Sequence, residues 1–200
     1  MRKIIILLLL FSISFIQSQN HVIKYGDLRY MHHEDLPSHF KQGYVLNKRL
    51  SDGNWTVTSS KDSTIIFTEG RYLNNRRHGL WKSYDYDGTL SKTVEYKKGR
   101  ITGTTKTYHK NGKIAIRVTH LKKKSYSVES YYKTGVLYSK YQSKNGRKHG
   151  YWKKYFNNGK IKSLGYYKKG KRIGLQNNYN EEGVLIYGQN KKTSNNKTYK

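Results

Sequence analysis

The sequence contains no cysteine and a single proline, and only 12 of its 200 residues are aspartate or glutamate. The lack of cysteine excludes a disulfide framework, a thiolate metal site and a cysteine nucleophile. So few carboxylates argue against catalysis by a paired acid and base. The 40 lysines and arginines give the chain a net charge of +28 at pH 7. A chain this basic should be attracted to anionic surfaces and repelled by its own copies.

Motifs for chemistry are also missing from the sequence. It has no nucleophile elbow, phosphate loop or dinucleotide fingerprint, so we predict a protein that is not an enzyme and needs no cofactor. The alternative is a metal site built on His32, His33 and His39, but their spacing does not align two imidazoles on one helical face. Pro37 within this cluster indicates a loop, and equilibrium dialysis against Zn²⁺ would test the alternative.

The N-terminus has the pattern of an export signal. Arg2 and Lys3 precede an apolar stretch at 4–16, which predicts a signal peptide at 1–19 with cleavage near Ser18 or Gln19. Because Ile16 is larger than a signal peptidase prefers, an uncleaved anchor is the alternative. No later stretch is apolar enough to span a membrane, so we expect a secreted or periplasmic protein with no span after cleavage. Nucleic acid is therefore not an expected partner.

The rest of the sequence repeats with a period of 23 or 24 residues. Three columns recur in phase: a glycine, a second glycine nine residues earlier, and a tyrosine five residues after that second glycine. The columns are Gly88, Gly112, Gly135, Gly159 and Gly183; Gly79, Gly103, Gly150 and Gly174, with Tyr126 in the middle unit; and Tyr84, Tyr108, Tyr131, Tyr155 and Tyr179. A weaker copy begins at Gly53. We predict about six units over 51–187, a capping segment at 20–50 and a polar basic tail at 188–200.

Each unit has the pattern of a β-hairpin. The pairs Asp87-Gly88, Asn111-Gly112 and Asn158-Gly159 are typical of a two-residue turn with positive φ at both central residues. The segments between glycines are rich in aromatic and β-branched residues and are too short for helices. We therefore predict an all-β fold, an open single-layered antiparallel meander of stacked β-hairpins.

Aromatic residues must do much of the packing in such a sheet, because tyrosine alone occupies 20 positions. A ring from a neighbouring strand is expected to cover each interior glycine. The tryptophans two residues after the second-column glycines and the tyrosines five residues after them cannot share a face of a regular strand. Either both faces carry aromatic residues or a bulge intervenes.

Two units carry a family resemblance. The segments "GLWKSYDYDGTLSKTVEYKKG" and "GYWKKYFNNGKIKSLGYYKKG" resemble the bacterial variant of the MORN repeat (membrane occupation and recognition nexus), a type found in exported proteins and in proteins described as antitoxins. The resemblance covers about 51–187 and implies a single-layered meander with a role in binding or scaffolding, without shared catalytic residues. The middle unit departs from the pattern, so we expect a kink or irregularity near 121–126.

The two sets of turns should line opposite edges of the sheet, and their charges differ. The hairpin tips carry balanced charge, whereas the turns between units contain 15 cations and no acid. We call these cations the basic edge and predict that they bind an anionic partner: Arg76, Arg77, Lys97, Lys98, Arg100, Lys122, Lys123, Lys124, Lys144, Arg147, Lys148, Lys168, Lys169, Lys171 and Arg172. The alternative is that these are ordinary solvated turns, whose lysines discourage aggregation or reflect a compositional bias.

These observations support two functional hypotheses. In the first, the exported repeat array is a binding or scaffolding surface for an anionic glycan, a phospholipid headgroup or an acidic protein. In the second, it is a toxin-neutralising or secretion-associated protein that recognises another protein through aromatic and shape contacts. Exposed tyrosines could also stack on sugar rings, although five in-phase tyrosines favour packing of the sheet over a sugar-binding role. An open sheet could in addition form a homodimer edge to edge.

Overall fold

The computed structural model describes residues 20–24, 52–59, 61–122 and 124–191. The predicted signal peptide, most of the predicted capping segment and residues 192–200 of the tail lie outside this description, as do His32, His33 and His39. The described strands form one sheet in sequential order. They are β1 (Asn20–Lys24), β2 (Gly53–Thr58), β3 (Ile66–Leu73), β4 (Arg76–Tyr84), β5 (Leu90–Lys97), β6 (Arg100–Tyr108), β7 (Ile114–His120), β8 (Ser125–Tyr131), β9 (Leu137–Lys144), β10 (Arg147–Tyr155), β11 (Ile161–Lys168), β12 (Lys171–Tyr179) and β13 (Leu185–Lys191).

The predicted open meander of stacked hairpins is confirmed. Each strand from β2 to β13 pairs antiparallel with the next. β1 differs, because it pairs in parallel with β2, with Asn20 opposite Asn54 and Lys24 opposite Thr58. None of the segments that the structure describes forms a helix of the length and apolarity needed to cross a membrane.

The hairpin tips have a different turn from the one predicted. In the tip at 85–89 the Gly88 N–H donates to the Asp85 carbonyl (3.0 Å) and the Asp85 N–H donates to the Thr89 carbonyl (2.9 Å), and Gly88 has φ +77° while Asp87 does not have a positive φ. This is a three-residue loop, a type I turn followed by a left-handed glycine. The Asp87 carboxylate accepts a hydrogen bond from the Thr89 N–H (3.0 Å), which holds Asp87 in the right-handed region. The prediction of a two-residue turn was therefore wrong at the tips.

The two-residue turns with positive φ lie on the opposite edge, between units. They comprise Asn74 and Asn75, Lys98 and Gly99, Asn145 and Gly146, and Lys169 and Gly170, with φ between 51° and 87°. Their left-handed residues match the twist of the adjoining strands, so the turns can be tight. The array thus alternates a tight turn on the basic edge with a longer tip on the other edge.

A β-bulge marks the second-column glycines. Between β3 and β4 the pairing jumps from Glu69 and Lys82 to Arg71 and His78, so Gly79 lies in the additional backbone of β4. Its φ of +71° is a conformation that residues with a Cβ rarely adopt. Similar register shifts flank Gly103, Gly150 and Gly174.

The middle unit has lost this bulge. Tyr126 replaces the glycine there and pairs directly with His120, and β7 and β8 continue without a register shift. The β7–β8 loop is also longer than the other turns on its edge, with the Leu121 N–H donating to the Ser125 carbonyl (2.8 Å). The expected irregularity near 121–126 is thus a more regular strand pair joined by a longer loop.

Both sides of the sheet carry aromatic residues. Trp81 pairs with Val94, and the row of paired residues continues across the sheet to Tyr141 and Trp152, so the two tryptophans share a face. Tyr84 lies on the opposite side, where its hydroxyl donates to the Glu69 carboxylate (2.7 Å). We call these sides the tryptophan face and the tyrosine face. Both alternatives therefore hold, since both faces carry aromatic residues and a bulge is also present.

The described strands form a single layer, and aromatic rings cover part of its backbone locally. Trp81 is 2% exposed, contacts Tyr72 edge to face (5.1 Å between ring centroids) and lies against the backbone of Gly70. Cover of a glycine by a ring is thus confirmed at Gly70. The bulge glycines do not follow the prediction, because Gly79 and Gly174 have open space where a Cβ would lie.

We expect Gly70→Ala to lower the free energy of unfolding by about 2 kcal/mol, because the new Cβ would overlap the Trp81 indole. Gly79→Ala is the matched control, since it meets no neighbour and should cost about 1 kcal/mol through its positive φ alone. Denaturant unfolding measures both values. In a Trp81→Ala background the cost of Gly70→Ala should largely disappear while that of Gly79→Ala persists. An equal cost of Gly70→Ala in both backgrounds would contradict this packing.

Candidate functional site

The topology brings the cations of the basic edge together. Each of the five turns that join β3–β4, β5–β6, β7–β8, β9–β10 and β11–β12 lies on the same edge, because the strands alternate in direction. Lys123 lies outside the described residues. Of the other members, Arg77 is buried and thirteen are exposed: Arg76, Lys97, Lys98, Arg100, Lys122, Lys124, Lys144, Arg147, Lys148, Lys168, Lys169, Lys171 and Arg172.

Like charges face one another directly across these turns. Lys97 pairs with Arg100, Lys144 with Arg147, and Lys168 with Lys171. Like charges at directly opposite strand positions destabilise a sheet. None of these six residues takes part in a salt bridge within the described chain, so no acid neutralises the pairs. The basic edge therefore holds uncompensated positive charge at fixed positions.

Three lysines of the edge also occupy a conformation that disfavours them. Lys98, Lys124 and Lys169 have φ of 54°, 54° and 51°. Asparagine adopts this left-handed region several times more readily than lysine, and the chain places asparagine at the equivalent turn positions Asn74 and Asn145. The lysines therefore add positive charge at a cost in backbone strain.

Backbone hydrogen bonds connect neighbouring turns into one edge. The Gly99 N–H donates to the Arg77 carbonyl (2.9 Å), and the Gly170 N–H donates to the Lys148 carbonyl (2.8 Å). In the middle of the array the Asn145 N–H donates to the Lys124 carbonyl (3.0 Å). Because these bonds fix the backbone from turn to turn, the spacing of the cations is set before any partner binds.

Some cations of the edge pack on the tryptophan face. The buried Arg77 guanidinium lies 4.1 Å from the Trp81 ring centroid and 5.4 Å from that of Tyr96. Arg172 lies over Trp152 at 5.1 Å, and its Nε–H donates to the Tyr167 hydroxyl (3.0 Å). Such contacts stabilise the sheet and hold the charge against it.

Lys148 behaves in the same way, with its Nζ 4.6 Å from the Tyr141 ring centroid. The prediction from the sequence placed Arg77, Lys148 and Arg172 with the rest of the edge and did not include this packing role. A signal was present, because Arg77 and Lys148 each precede a tryptophan by four residues across a bulge glycine. The set that can meet an external anion therefore excludes Arg77.

Cations on the opposite edge are used differently. Lys113 Nζ donates to the Thr134 carbonyl (2.7 Å) and Lys160 Nζ donates to the Glu182 carbonyl (3.2 Å). These side chains connect each hairpin tip to the next one along the sheet. These two tip lysines thus form hydrogen bonds within the protein, whereas the described cations of the basic edge other than Arg77 are exposed at the surface.

The tyrosine face carries ion pairs in the N-terminal and middle parts of the array. Glu129 is paired with Lys140 (2.8 Å) and Arg117 (3.0 Å), and it accepts a hydrogen bond from the Tyr131 hydroxyl (2.7 Å). The Lys140 hydrogen bond holds the pKa of the Glu129 carboxyl below its usual range. Burial, reinforced by the neighbouring carboxylate, raises the pKa of Tyr131 to about 12. Glu69 forms a similar pair with Lys82 (2.9 Å).

Nothing in the described part of the chain gathers three or more histidine, aspartate or glutamate side chains into a group that could hold a metal ion. His120 lies beside Tyr126 on the sheet, and burial lowers its pKa. The proposed metal alternative at His32, His33 and His39 stays a prediction, because it lies outside the described residues.

The Glu129 cluster predicts a pH dependence of stability. Its lowered folded pKa contributes stability above the ordinary carboxyl pKa of about 4.3, and this contribution should be lost as pH falls through the folded value. The raised pKa of Tyr131 contributes stability below about pH 10, which should be lost as pH rises towards 12.

Denaturant unfolding of Glu129→Gln should therefore show a loss of about 1 kcal/mol at pH 7, and the difference from the unchanged protein should vanish near pH 3. Glu181→Gln, on an exposed hairpin tip, is the control and should change stability little at either pH. A constant difference across the whole range would show that the charge of Glu129 contributes nothing.

Comparison with known families identifies three of the hairpins. Residues 77–98, 101–122 and 148–169 each match the family described as MORN repeat variant, and they coincide with the hairpins β4–β5, β6–β7 and β10–β11. No match covers the middle unit, which has lost the bulge glycine. Among curated proteins, none matches the chain significantly. The chain is thus an array of β-hairpins, three of which are similar to the MORN repeat variant.

Proposed function

We propose that this protein is an exported, noncatalytic binding or scaffolding protein whose basic edge docks on an anionic polymer or surface of the cell envelope. The similarity to MORN repeats supports a repeat-type binding or scaffold protein. The anionic partner is inferred from like-charge pairs that no acid of the described chain neutralises. These pairs are Lys97 and Arg100, Lys144 and Arg147, and Lys168 and Lys171.

The cost of this arrangement supports a role in binding. Like-charge pairs at opposite positions and lysines at positive φ both oppose folding. A bound polyanion would reverse the electrostatic part of that cost, because its charge replaces the missing acids. Surface strain without an internal benefit is typical of functional positions.

The spacing of the edge suits an extended ligand. Successive turns are two strands apart, about 9.6 Å, which is close to the Debye length of about 8 Å in physiological salt. Neighbouring clusters therefore repel one another weakly, while a polymer that follows the edge gains attraction from each cluster. Export through the signal at 1–19 would place this edge against glycans, lipid headgroups or acidic proteins outside the cytoplasm.

We expect the triple variant Lys168→Gln, Lys169→Asn and Lys171→Gln to weaken binding of long-chain inorganic polyphosphate at least tenfold at low salt. The slope of log Kd against log salt should also fall by about 2 to 3, because fewer counterions are released. Asparagine is chosen at Lys169 because Asn145 occupies the equivalent turn position. Fluorescence titration at several salt concentrations measures both quantities.

The matched control removes the same charge near the opposite edge, with Lys110, Lys133 and Lys162 changed to Gln. These three lysines are exposed, and this variant should change the affinity less than threefold. Equal losses in the two triple variants would show that only net charge matters and would remove the basic edge as a binding site.

The last strand favours a second candidate function, recognition of another protein. Val184, Leu185, Ile186 and Tyr187 are between 51% and 62% exposed, and β13 is the last of the strands that the structure describes. An exposed apolar end strand is suited to pair with a strand of a partner. This arrangement would serve the toxin-neutralising or secretion-associated hypothesis, or a homodimer formed edge to edge.

The two candidate functions differ in their expected salt dependence and in the residues whose substitution should affect them. We expect Ile186→Lys to leave polyphosphate binding unchanged while abolishing any concentration-dependent association, measured by sedimentation velocity in 0.5 M NaCl, where charge repulsion is screened. Thr89→Lys, on a hairpin tip, adds the same charge as a control. A protein that stays monomeric at all concentrations would exclude the homodimer.

A further inference from the structure

We propose that the C-terminal part of the tyrosine face binds an oligosaccharide of uronic acids, with Tyr151 stacking on a sugar ring and Lys153 and Lys168 binding its carboxylates. The inference rests on the proposed function and names a ligand class for the basic edge and the surface beside it. The ring of Tyr151 contacts Tyr166 at one edge and is otherwise largely open to solvent.

Tyr151 is 75% exposed, which is the highest exposed fraction among the large hydrophobic residues of the described chain. It follows the bulge glycine Gly150, and the equivalent residues after the other bulge glycines include Leu80 and Leu175. Leucine therefore satisfies the structure at this position. The fold therefore does not require an aromatic residue here, yet Tyr151 exposes an aromatic ring to solvent.

The neighbours of Tyr151 hold its ring in place and leave it open. Tyr166 lies directly opposite on β11, and the two rings meet edge to face with centroids 5.0 Å apart and planes at 85°. On the tryptophan face, the rings of Trp81, Trp152 and Tyr167 lie beneath cations of the protein itself. No such cation lies over Tyr151 among the contacts of the described residues.

Cations flank this ring pair on both sides along the strands. Lys153 lies two residues beyond Tyr151 on β10, and Lys168 lies two residues beyond Tyr166 on β11, on the same face. Because the strands are antiparallel, the two lysines are on opposite sides of the rings, about 13 Å apart along the strand direction. Lys171 pairs with Lys168 and extends the positive surface to the basic edge.

This part of the array has no acid to compete for those cations. Residues 145–180 contain ten lysines and arginines and no aspartate or glutamate, whereas Glu69 pairs with Lys82 on β4 and Glu129 pairs with Lys140 on β9. Lys153 and Lys168 are exposed and take part in no salt bridge within the described chain. The ring pair is thus surrounded by unneutralised charge.

A sugar acid fits both features. The C–H face of a pyranose ring is apolar and packs on an aromatic face, and its carboxylate forms charge-assisted hydrogen bonds with lysine. A phosphate polymer would use the lysines but has no apolar face for Tyr151. A neutral glycan would use the ring and leave the lysines unused.

Isothermal titration calorimetry of the purified protein tests the proposal with three probes: a uronic acid hexasaccharide, a neutral hexasaccharide of the same linkage, and inorganic polyphosphate. We expect Tyr151→Leu to weaken uronate binding about tenfold and to leave polyphosphate binding unchanged. Tyr151→Phe should retain uronate binding, because it keeps the ring. The double variant Lys153→Gln and Lys168→Gln should weaken uronate binding at least tenfold, and the neutral sugar should bind the unchanged protein at least tenfold more weakly than the uronate.

Uronate binding that Tyr151→Leu leaves unchanged would overturn the proposal, as would equal affinity for the neutral sugar. If polyphosphate binds at the basic edge and the uronate does not bind, the sugar site is removed and the proposed function stands. If neither anion binds, both are removed. Two other units have leucine at the equivalent position, Leu80 and Leu175. We therefore expect Tyr151→Leu to fold, so that unfolding does not obscure the result.

Discussion

Strand register is the constraint on which the rest of this structure depends. In an open sheet, a slip of one residue would move every side chain of a strand to the other face. Left-handed residues at the turns and bulges oppose such a slip, because each can be accommodated at one place in the repeat. Gly79 and Gly88 show the two cases, one in a bulge and one in a hairpin tip. Equivalent residues of each unit therefore reach the same edge and face.

Among the residues that the structure describes, no second layer covers the sheet, and the cations of the sheet itself cover part of its tryptophan face. Arg77 is buried over Trp81, and Arg172 and Lys148 lie over rings further along the same face. A guanidinium can cover an aromatic ring and still keep polar contacts, as Arg172 does with the Tyr167 hydroxyl. The high positive charge of the chain thus has two roles, packing on one face and exposure at one edge.

Charge also divides the array along its length. The ion pairs around Glu69 and Glu129 lie on the strands up to β9, while the acid-free stretch at 145–180 covers β10, β11 and β12. The same fold thus presents a neutralised surface in one part and an unneutralised surface in the other. Tyr151, the most exposed of the large hydrophobic residues, lies in the unneutralised part. This coincidence places the proposed sugar site on the C-terminal strands.

The sequence by itself determined the period, the positions of the hairpins and the edge that carries the cations, because the antiparallel order of short strands follows directly from the spacing of turns. It also indicated the irregular middle unit through the replacement of a glycine by Tyr126. Only the tertiary structure decided the turn types, since the Asp87 side chain holds its own backbone in the right-handed region. The face of each aromatic residue and the burial of Arg77 were likewise decided there, because both depend on a bulge that pairing between strands creates.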